Sequence, residues 1–293
     1  MRVEWPTFAL ICATYAAFGV CLFLLPQVSV ALAVLTLIPV ISLQASLQHE
    51  VIHGHPFAER KLGEALMFPS LNLAIPYLRF RDTHLAHHMD ATLTDPYEDP
   101  ESNYLDPAVW ARLPRWGQRL LSVNNTLLGR MVLGPAIGQV AFMTGDWRAI
   151  RAGDAGVLRA WLAHLPAVAA ILALVALSPL PLWAYGLACY GGLSVLKIRT
   201  FLEHQAHERA RGRTVIIEDR GPLAFLFLNN NLHVVHHMHP KLPWYRLPRI
   251  YFNNREAYLA RNAGYSYRSY AEIFRRHLLR AKDPVPHPLY PPG

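Results

Sequence analysis

The sequence predicts an all-α integral membrane protein, four transmembrane helices carrying a cytoplasmic, histidine-rich helical cap, and three observations predict it. The chain of 293 residues is 53% hydrophobic and only 16% charged, against roughly 25% charged for an average soluble domain. Its apolar residues gather into runs of membrane-spanning length, with the positive charges kept out of two of the connections. Its 15 histidines are clustered rather than scattered.

The first apolar run goes from Thr7 to Leu25, and after the turn-like Pro26-Gln27 a second goes from Val28 to about Leu47. Each approaches the roughly 20 residues that cross a hydrocarbon core. Between Val3 and Glu59 there is no Lys or Arg, and Glu4 is the one acidic residue before Glu50. A third run, Val157 to Leu177, and a fourth, Leu182 to Ile198, are joined by Ser178-Pro179-Leu180-Pro181, which leaves room only for a hairpin. The expected spans are thus about 7–25, 28–47, 157–177 and 182–198, with the cap at 48–156 and 199–293, all within one domain over 1–293. A cleaved signal peptide competes for residues 1–25, but Arg2 is a thin positive region and no small-residue cleavage site precedes Gln27, so a retained helix is expected. Two further apolar segments, Leu62 to Phe80 with Pro69 and Pro76, and Leu120 to Met143 with Arg130, read as interfacial or re-entrant. The proline-rich tail at 284–292 is expected to lie extended.

Orientation follows from the charges. Neither the Pro26-Gln27 turn nor the Ser178-to-Pro181 turn carries Lys or Arg; Arg2, the segment 60–159 and the chain from Lys197 onward hold all 28. By the positive-inside rule both termini and the central loop are cytoplasmic. The net charge of +8 then faces one side, where it suits anionic headgroups or an acidic protein partner. Nucleic acid is excluded as a partner, since no recognition motif accompanies the charge. Cys12, Cys21 and Cys189 lie inside expected spans, which argues against both a disulfide framework and a thiolate metal site.

The first histidine cluster, His49-Glu50-Val51-Ile52-His53, has the H-E-x-x-H outline of a zinc peptidase, in which Glu50 would be the general base. The next clusters change that reading. His84-Leu85-Ala86-His87-His88 and His233-Val234-Val235-His236-His237 both follow H-x-x-H-H, a pattern expected only about 0.04 times by chance at this histidine frequency. On a helix the i, i+3 and i+4 residues share a stripe, so three imidazoles can converge on a metal. Imidazole suits Zn, Cu, Fe and Ni alike. One tetrahedral zinc needs three or four protein ligands, whereas these boxes supply eight histidines, with His204 and His207 nearby, enough for two metals.

In this order, with the hairpin of spans between the second and third boxes, HEVIH, HLAHH and HVVHH resemble the integral-membrane fatty acid desaturase superfamily, which includes membrane hydroxylases and carotenoid ketolases. The resemblance covers roughly residues 8–255 and extends to TDPYEDPES at 94–102 and NNNLHVVHHMHPKLPWYRLP at 229–248, which look like bacterial members. It implies a non-haem di-iron oxidoreductase with two Fe ions, O2 as co-substrate and electrons supplied from outside. The metal ligands it implies are His49, His53, His84, His87, His88, His233, His236 and His237, plus one histidine after the fourth span. His204 is taken over His207 because it comes first and follows Glu203. The implied reaction is desaturation of a lipid- or thioester-linked acyl chain to a cis double bond, with a hydroxylase or ketolase of the same superfamily as the alternative. Members that act on coenzyme A thioesters often have four residues between the histidines of the first box; here there are three, which weighs against that substrate form. The length leaves no room within the chain for a haem or flavin domain, so a ferredoxin- or rubredoxin-like donor is expected at the basic face.

The other candidates have plainer readings. His55 and His239 are expected to hydrogen-bond near the site, His164 to reach the interface from the start of its span, and His277 and His287 to be solvated. Glu50, Asp82, Asp90, Asp95 and Glu203 are candidates to orient imidazoles. Among Asn229, Asn230 and Asn231, one is expected to cap the third box or hold a water there. Trp244, Tyr245 and Tyr251 read as an interfacial aromatic belt.

Overall fold

The computed structural model describes residues 3–89 and 91–290, so the expectations for Arg2 and Asp90 lie outside the described residues. The chain is mostly helical and forms two compact units, residues 1–81 with 135–196 and residues 82–134 with 197–293.

The first unit contains three helices long and apolar enough to cross a membrane: Trp5–Val28, Val30–Ile52 and Ala155–Ala176. The break between the first two falls at Ser29 rather than at Pro26-Gln27. Pro26 is tolerated within the first turn of a short helical piece, Leu25–Val28, where its missing N–H costs nothing. Ser29 is extended, and its hydroxyl accepts the Leu32 N–H. The second helix runs five residues past the expected end and carries His49 with it. Asp154 starts the third by accepting the Gly156 and Val157 N–H groups. The expected fourth span is a helix, Leu182–Thr200. Trp183, Tyr185, Tyr190, Lys197 and Arg199 make it more polar than the other three.

The core of this unit gathers Leu22, Leu37, Ile41, Val175, Ala184 and Tyr185 around a non-helical stretch at Leu71. Backbone carbonyls buried without water must find donors, and here side chains supply them. Gln48 donates to Met67 O at 2.9 Å, Gln44 to Pro69 O at 2.9 Å and Tyr185 to Leu71 O at 2.6 Å. His164 does not reach an interface: it is 2% exposed, and its Nε2 meets Leu73 O at 3.0 Å. A second buried polar knot joins Arg79 to Asp146 in a bidentate pair, with Trp161 Nε1 donating to the same carboxylate.

Among its described residues the second unit carries one strand pair. Ile216–Ile217 pairs in parallel with Ser266–Tyr267, a place where two adjacent β-branched residues are both buried. Ile216 packs with Leu232, Val234, Val235, Leu247, Tyr251 and Tyr258. Tyr251 is therefore core, not aromatic belt; its hydroxyl donates to Glu218 at 2.7 Å. The segment Leu120 to Met143 is divided among the helices Arg115–Asn124, Leu127–Val132 and Gly134–Arg151. Arg130 is buried there because its guanidinium donates to Asn124 O and to the side-chain oxygens of Asn103 and Asn125. The tail is extended only around Pro286, where it is bridged to Leu105; it then turns, the Tyr290 N–H donating to His287 O, and residues 291–292 lie outside the described residues. His287 within it is buried rather than solvated, with Nε2 3.2 Å from Thr94 Oγ1. His277 is half-buried against the Tyr267 hydroxyl at 3.1 Å.

Candidate metal centre

Among the described residues, three helices end in, or consist of, histidine boxes: Val30–Ile52, Tyr77–His87 and His233–Met238. Tyr77–His87 opens after Pro76, whose carbonyl takes the Phe80 N–H, and closes on His84 and His87; the His88 N–H continues the turn to His84 O. The third box occupies a helix of six residues, His233–Met238. That is too short to be stable alone. Val234 and Val235 anchor it in the core, leaving the histidines to the opposite side. Its entry turns sharply through Leu228 and Asn229, both at positive φ, a conformation that asparagine adopts readily and leucine does not.

Seven histidines of the second unit form two groups. In one, ring nitrogens of His87, His204, His233 and His237 lie within 4.8 Å of one another. His204 Nε2 is 2.9 Å from His87 Nε2 and 3.2 Å from His233 Nε2. In the other, His88 Nε2 is 3.0 Å from His84 Nε2 and 3.1 Å from His236 Nε2. His84, His87, His233 and His236 are each 2% exposed. In the first unit, His49 and His53 stand side by side with ring centroids 4.9 Å apart, His49 on the helix and His53 at its C-terminal end.

The outer ring nitrogens decide what the inner ones can do. His87 Nδ1 is 2.7 Å from Asp99 Oδ1, and His84 Nδ1 is 3.2 Å from Glu101 Oε1. His233 Nδ1 is 3.1 Å from Asn230 Oδ1, and His204 Nδ1 is 3.3 Å from Thr214 Oγ1. Where such a ring is neutral, an oxygen accepting at Nδ1 keeps the N–H outward and turns the Nε2 lone pair toward the neighbouring rings. Lone pairs facing each other repel unless a cation lies between them. Ligands at about 2.1 Å from a metal, set at right angles or tetrahedrally, have nitrogens about 3.0 to 3.4 Å apart. The observed separations match, so the donor set fits a metal.

The electrostatics agree. Burial and the charges of neighbouring histidines hold His204 and His233 well below the ordinary imidazole range, so both present lone pairs at neutral pH. For His87 burial works against the charged form, but Glu101 and Asp99 outweigh it and push the ring up to about 9. Burial would raise Glu101; His87 and His84 instead hold it well below the usual carboxylate range.

Of the two histidines after the fourth helix, His204 lies in a ring-nitrogen group, while His207 is half-buried with its Nδ1 taking the Arg209 N–H. His55 pairs with Glu4 at 2.6 Å and His239 with the Tyr258 hydroxyl at 3.3 Å, neither of them next to a box histidine through its ring. Among the acids, Glu50 is buried 4.0 Å from His49 Nδ1, and Asp82 is exposed. Asp95 accepts the Tyr97 and Glu98 N–H groups and closes a turn instead of orienting a ring. Glu203 acts through Asn230, whose amide donates to it at 3.2 Å. No asparagine caps the third box: Asn230 takes up His233, while Asn229 and Asn231 donate to backbone carbonyls. Asp99 and Glu101, the two carboxylates that do orient box two, were missed. Both stand in the TDPYEDPES stretch, where only register in the folded loop separates them from Asp95.

No curated protein matches the chain. The sequence model of the family described as fatty acid desaturase matches residues 23–269, which takes in all three boxes, both ring-nitrogen groups and the helices that carry them. With that span of match, the chain belongs to the fatty acid desaturase family.

Proposed function

We propose that the protein is an O2-dependent di-iron fatty acyl desaturase that introduces a cis double bond into a lipid- or thioester-linked acyl chain. The observation that carries this reading is the convergence of inward-facing imidazole nitrogens in two separate groups, within a chain of the desaturase family. Two groups favour two metals over one. HEVIH lies inside the family match, so its peptidase outline is one part of a larger pattern. His49, His53, His84, His87, His88, His204, His233, His236 and His237 are taken as the ligands.

Two iron ions, when bound, supply the oxidising power to break unactivated C–H bonds with O2. The balance is R–CH2–CH2–R′ + O2 + 2 e⁻ + 2 H⁺ giving R–CH=CH–R′ + 2 H2O. The chain's own part is to hold and to exclude. Asp99, Glu101, Asn230 and Thr214 fix ring tautomers. The neutral imidazole ligands leave the metals' charge uncompensated, and burial of His84, His87, His233 and His236 limits the water that reaches them.

The electrons come from an acidic, ferredoxin- or rubredoxin-like partner. A surface hollow lined by His207, Arg209, Arg211 and Arg261 supports this, since it offers several cations a few residues from His204. The protein is read as an integral membrane protein of the bacterial inner membrane, with Leu182–Thr200 as the fourth span beside the three more apolar helices, and with both termini and the metal centre cytoplasmic.

Expression in a bacterial host lacking unsaturated products, grown under ¹⁸O2, tests the reaction. Mass spectrometry of the lipid extract should find a new unsaturation without label. A labelled oxygen in the product would instead establish the hydroxylase or ketolase of the same superfamily.

A further inference from the structure

His204 is held differently from the other metal-site histidines of its unit. The box-two and box-three rings project from helices, whose periodicity sets their directions. His204 follows the helix Leu182–Thr200 in irregular chain. Contacts from two sides replace the missing helix.

One side is local. His204 bridges Thr214 in antiparallel fashion, and the Gln205 N–H donates to Arg213 O at 2.8 Å. The other side is the C-terminal segment. Lys282 Nζ donates to the His204 carbonyl. The Tyr104 hydroxyl accepts the Ala206 N–H at 2.9 Å and donates to the Asp283 carboxylate. The backbone at 204–206 is therefore gripped by adjacent residues, Lys282 directly and Asp283 through Tyr104.

The segment is itself tied down. Leu105 N–H donates to Val285 O at 3.0 Å, His287 N–H donates to Leu105 O at 2.8 Å, and Asn125 donates to Asp283 O at 2.5 Å. His287 meets Thr94, whose N–H donates to Asp99 Oδ2 at 2.9 Å, and Asp99 is the carboxylate on His87. Of these residues, Lys282, Asp283, Val285 and His287 lie beyond residue 269, the last that the family match reaches.

We infer that residues 282–287 are a positioning strap that sets the geometry of His204, and through Thr94 and Asp99 that of His87, for the metal held with His233 and His237. The inference rests on reading that group as a metal site. Lys282 suits the task because its side chain is only 12% exposed and a charge-assisted bond to a carbonyl is strong where water is scarce. Metal–nitrogen bonds tolerate only about ±0.2 Å, so a small drift of the 204–206 backbone is enough to loosen one ligand.

The test uses the full chain loaded with ⁵⁷Fe in detergent, comparing wild type with Lys282→Met, Lys282→Arg and Asp283→Asn by iron content, chelator competition and Mössbauer spectroscopy. In Lys282→Met, one of the two irons should be held about 10- to 100-fold more weakly, with one quadrupole doublet changed and the other intact. Lys282→Arg, which keeps a cationic donor, should restore most of the loss. Wild-type iron content and spectrum in Lys282→Met, with only a lower melting temperature, would overturn the strap. Should that variant not fold, an unchanged spectrum in Asp283→Asn overturns it equally. A wild-type protein that takes up no iron removes the metal reading itself, and the strap with it, a result distinguishable from failure of the strap alone.

Discussion

Both units bury polar side chains, and they do so to opposite effect. In the first unit Gln44, Gln48, Tyr185 and His164 donate to the carbonyls of Pro69, Met67, Leu71 and Leu73. Each bond ends on a backbone oxygen, and the loop at 67–73 is satisfied. In the second unit the order is reversed: oxygens of Asp99, Glu101, Asn230 and Thr214 take the outer nitrogen of each ring, and the inner nitrogens face one another about 3 Å apart. A buried histidine is structural when its bond ends on the backbone, and a ligand candidate when its second nitrogen points at another histidine. His164 and His87 are equally buried, yet one meets a backbone carbonyl and the other a carboxylate and a second imidazole.

The largest expected effect tests that difference directly. His87→Ala removes one converging nitrogen and leaves Asp99 with only its backbone donors, the Thr94 and Glu101 N–H groups. Iron content should drop, and product formation should fall by at least about 100-fold, beyond the range for a residue that only orients a ligand. Iron analysis and lipid mass spectrometry measure the two. His164→Leu, treated the same way, should keep its iron; iron loss there would break the distinction between the two buried histidines.

Asp99→Asn comes next. The amide keeps an oxygen for His87 Nδ1 but loses the charge that raises ligand basicity. Metal affinity should weaken by about 10- to 100-fold, read by chelator competition. The same change at Asp95, which only closes a turn, should leave affinity untouched.

These two aspartates mark what could be read from the sequence. The boxes were legible because i, i+3, i+4 spacing is a helical property, and the helices Tyr77–His87 and His233–Met238 convert it into convergence. The apolar spans were legible for the same reason: length and composition act locally. Asp99 and Glu101 were not, because the turn at Asp95 decides which acid of TDPYEDPES reaches a ring, and a loop has no period. Tyr251 and His287 were misread for a related reason. Each carries a polar group that suggests a surface, yet each has a specific partner, Glu218 and Thr94, supplied by distant chain. The choice of His204 over His207 turns on the bridge to Thr214, which sequence order does not encode.

A smaller effect belongs to the first unit. His164→Leu leaves the Leu73 carbonyl without its donor in a buried place, which costs about 1 to 3 kcal/mol. Thermal unfolding in detergent should show the loss. A stability unchanged by this substitution would mean that another group or water can satisfy Leu73, and the loop would then not depend on the helices for its hydrogen bonds.

The smallest effect separates two kinds of carboxylate within the second unit. Glu218 accepts from Tyr251 and pairs with Arg255 at 2.5 Å, and Arg255 holds its carboxyl below the ordinary range. The Arg255 side chain is 47% exposed, so the pair is screened by solvent and its contribution is small. A depressed folded-state value means that the contribution is fully present above the unfolded pKa, about 4.3, and is lost as pH falls through the lower folded value. Glu218→Gln should therefore melt slightly below wild type at pH 7, with the gap closing as the pH falls below about 4. Its iron content at pH 7 should equal that of wild type. Asp99 touches a ring whose other nitrogen faces the metal group; Glu218 touches only a tyrosine and an arginine. Loss of iron in Glu218→Gln at neutral pH would mean that the core around Tyr251 sets the third box directly, through Val234 and Val235, and that packing shares the work here assigned to hydrogen bonds.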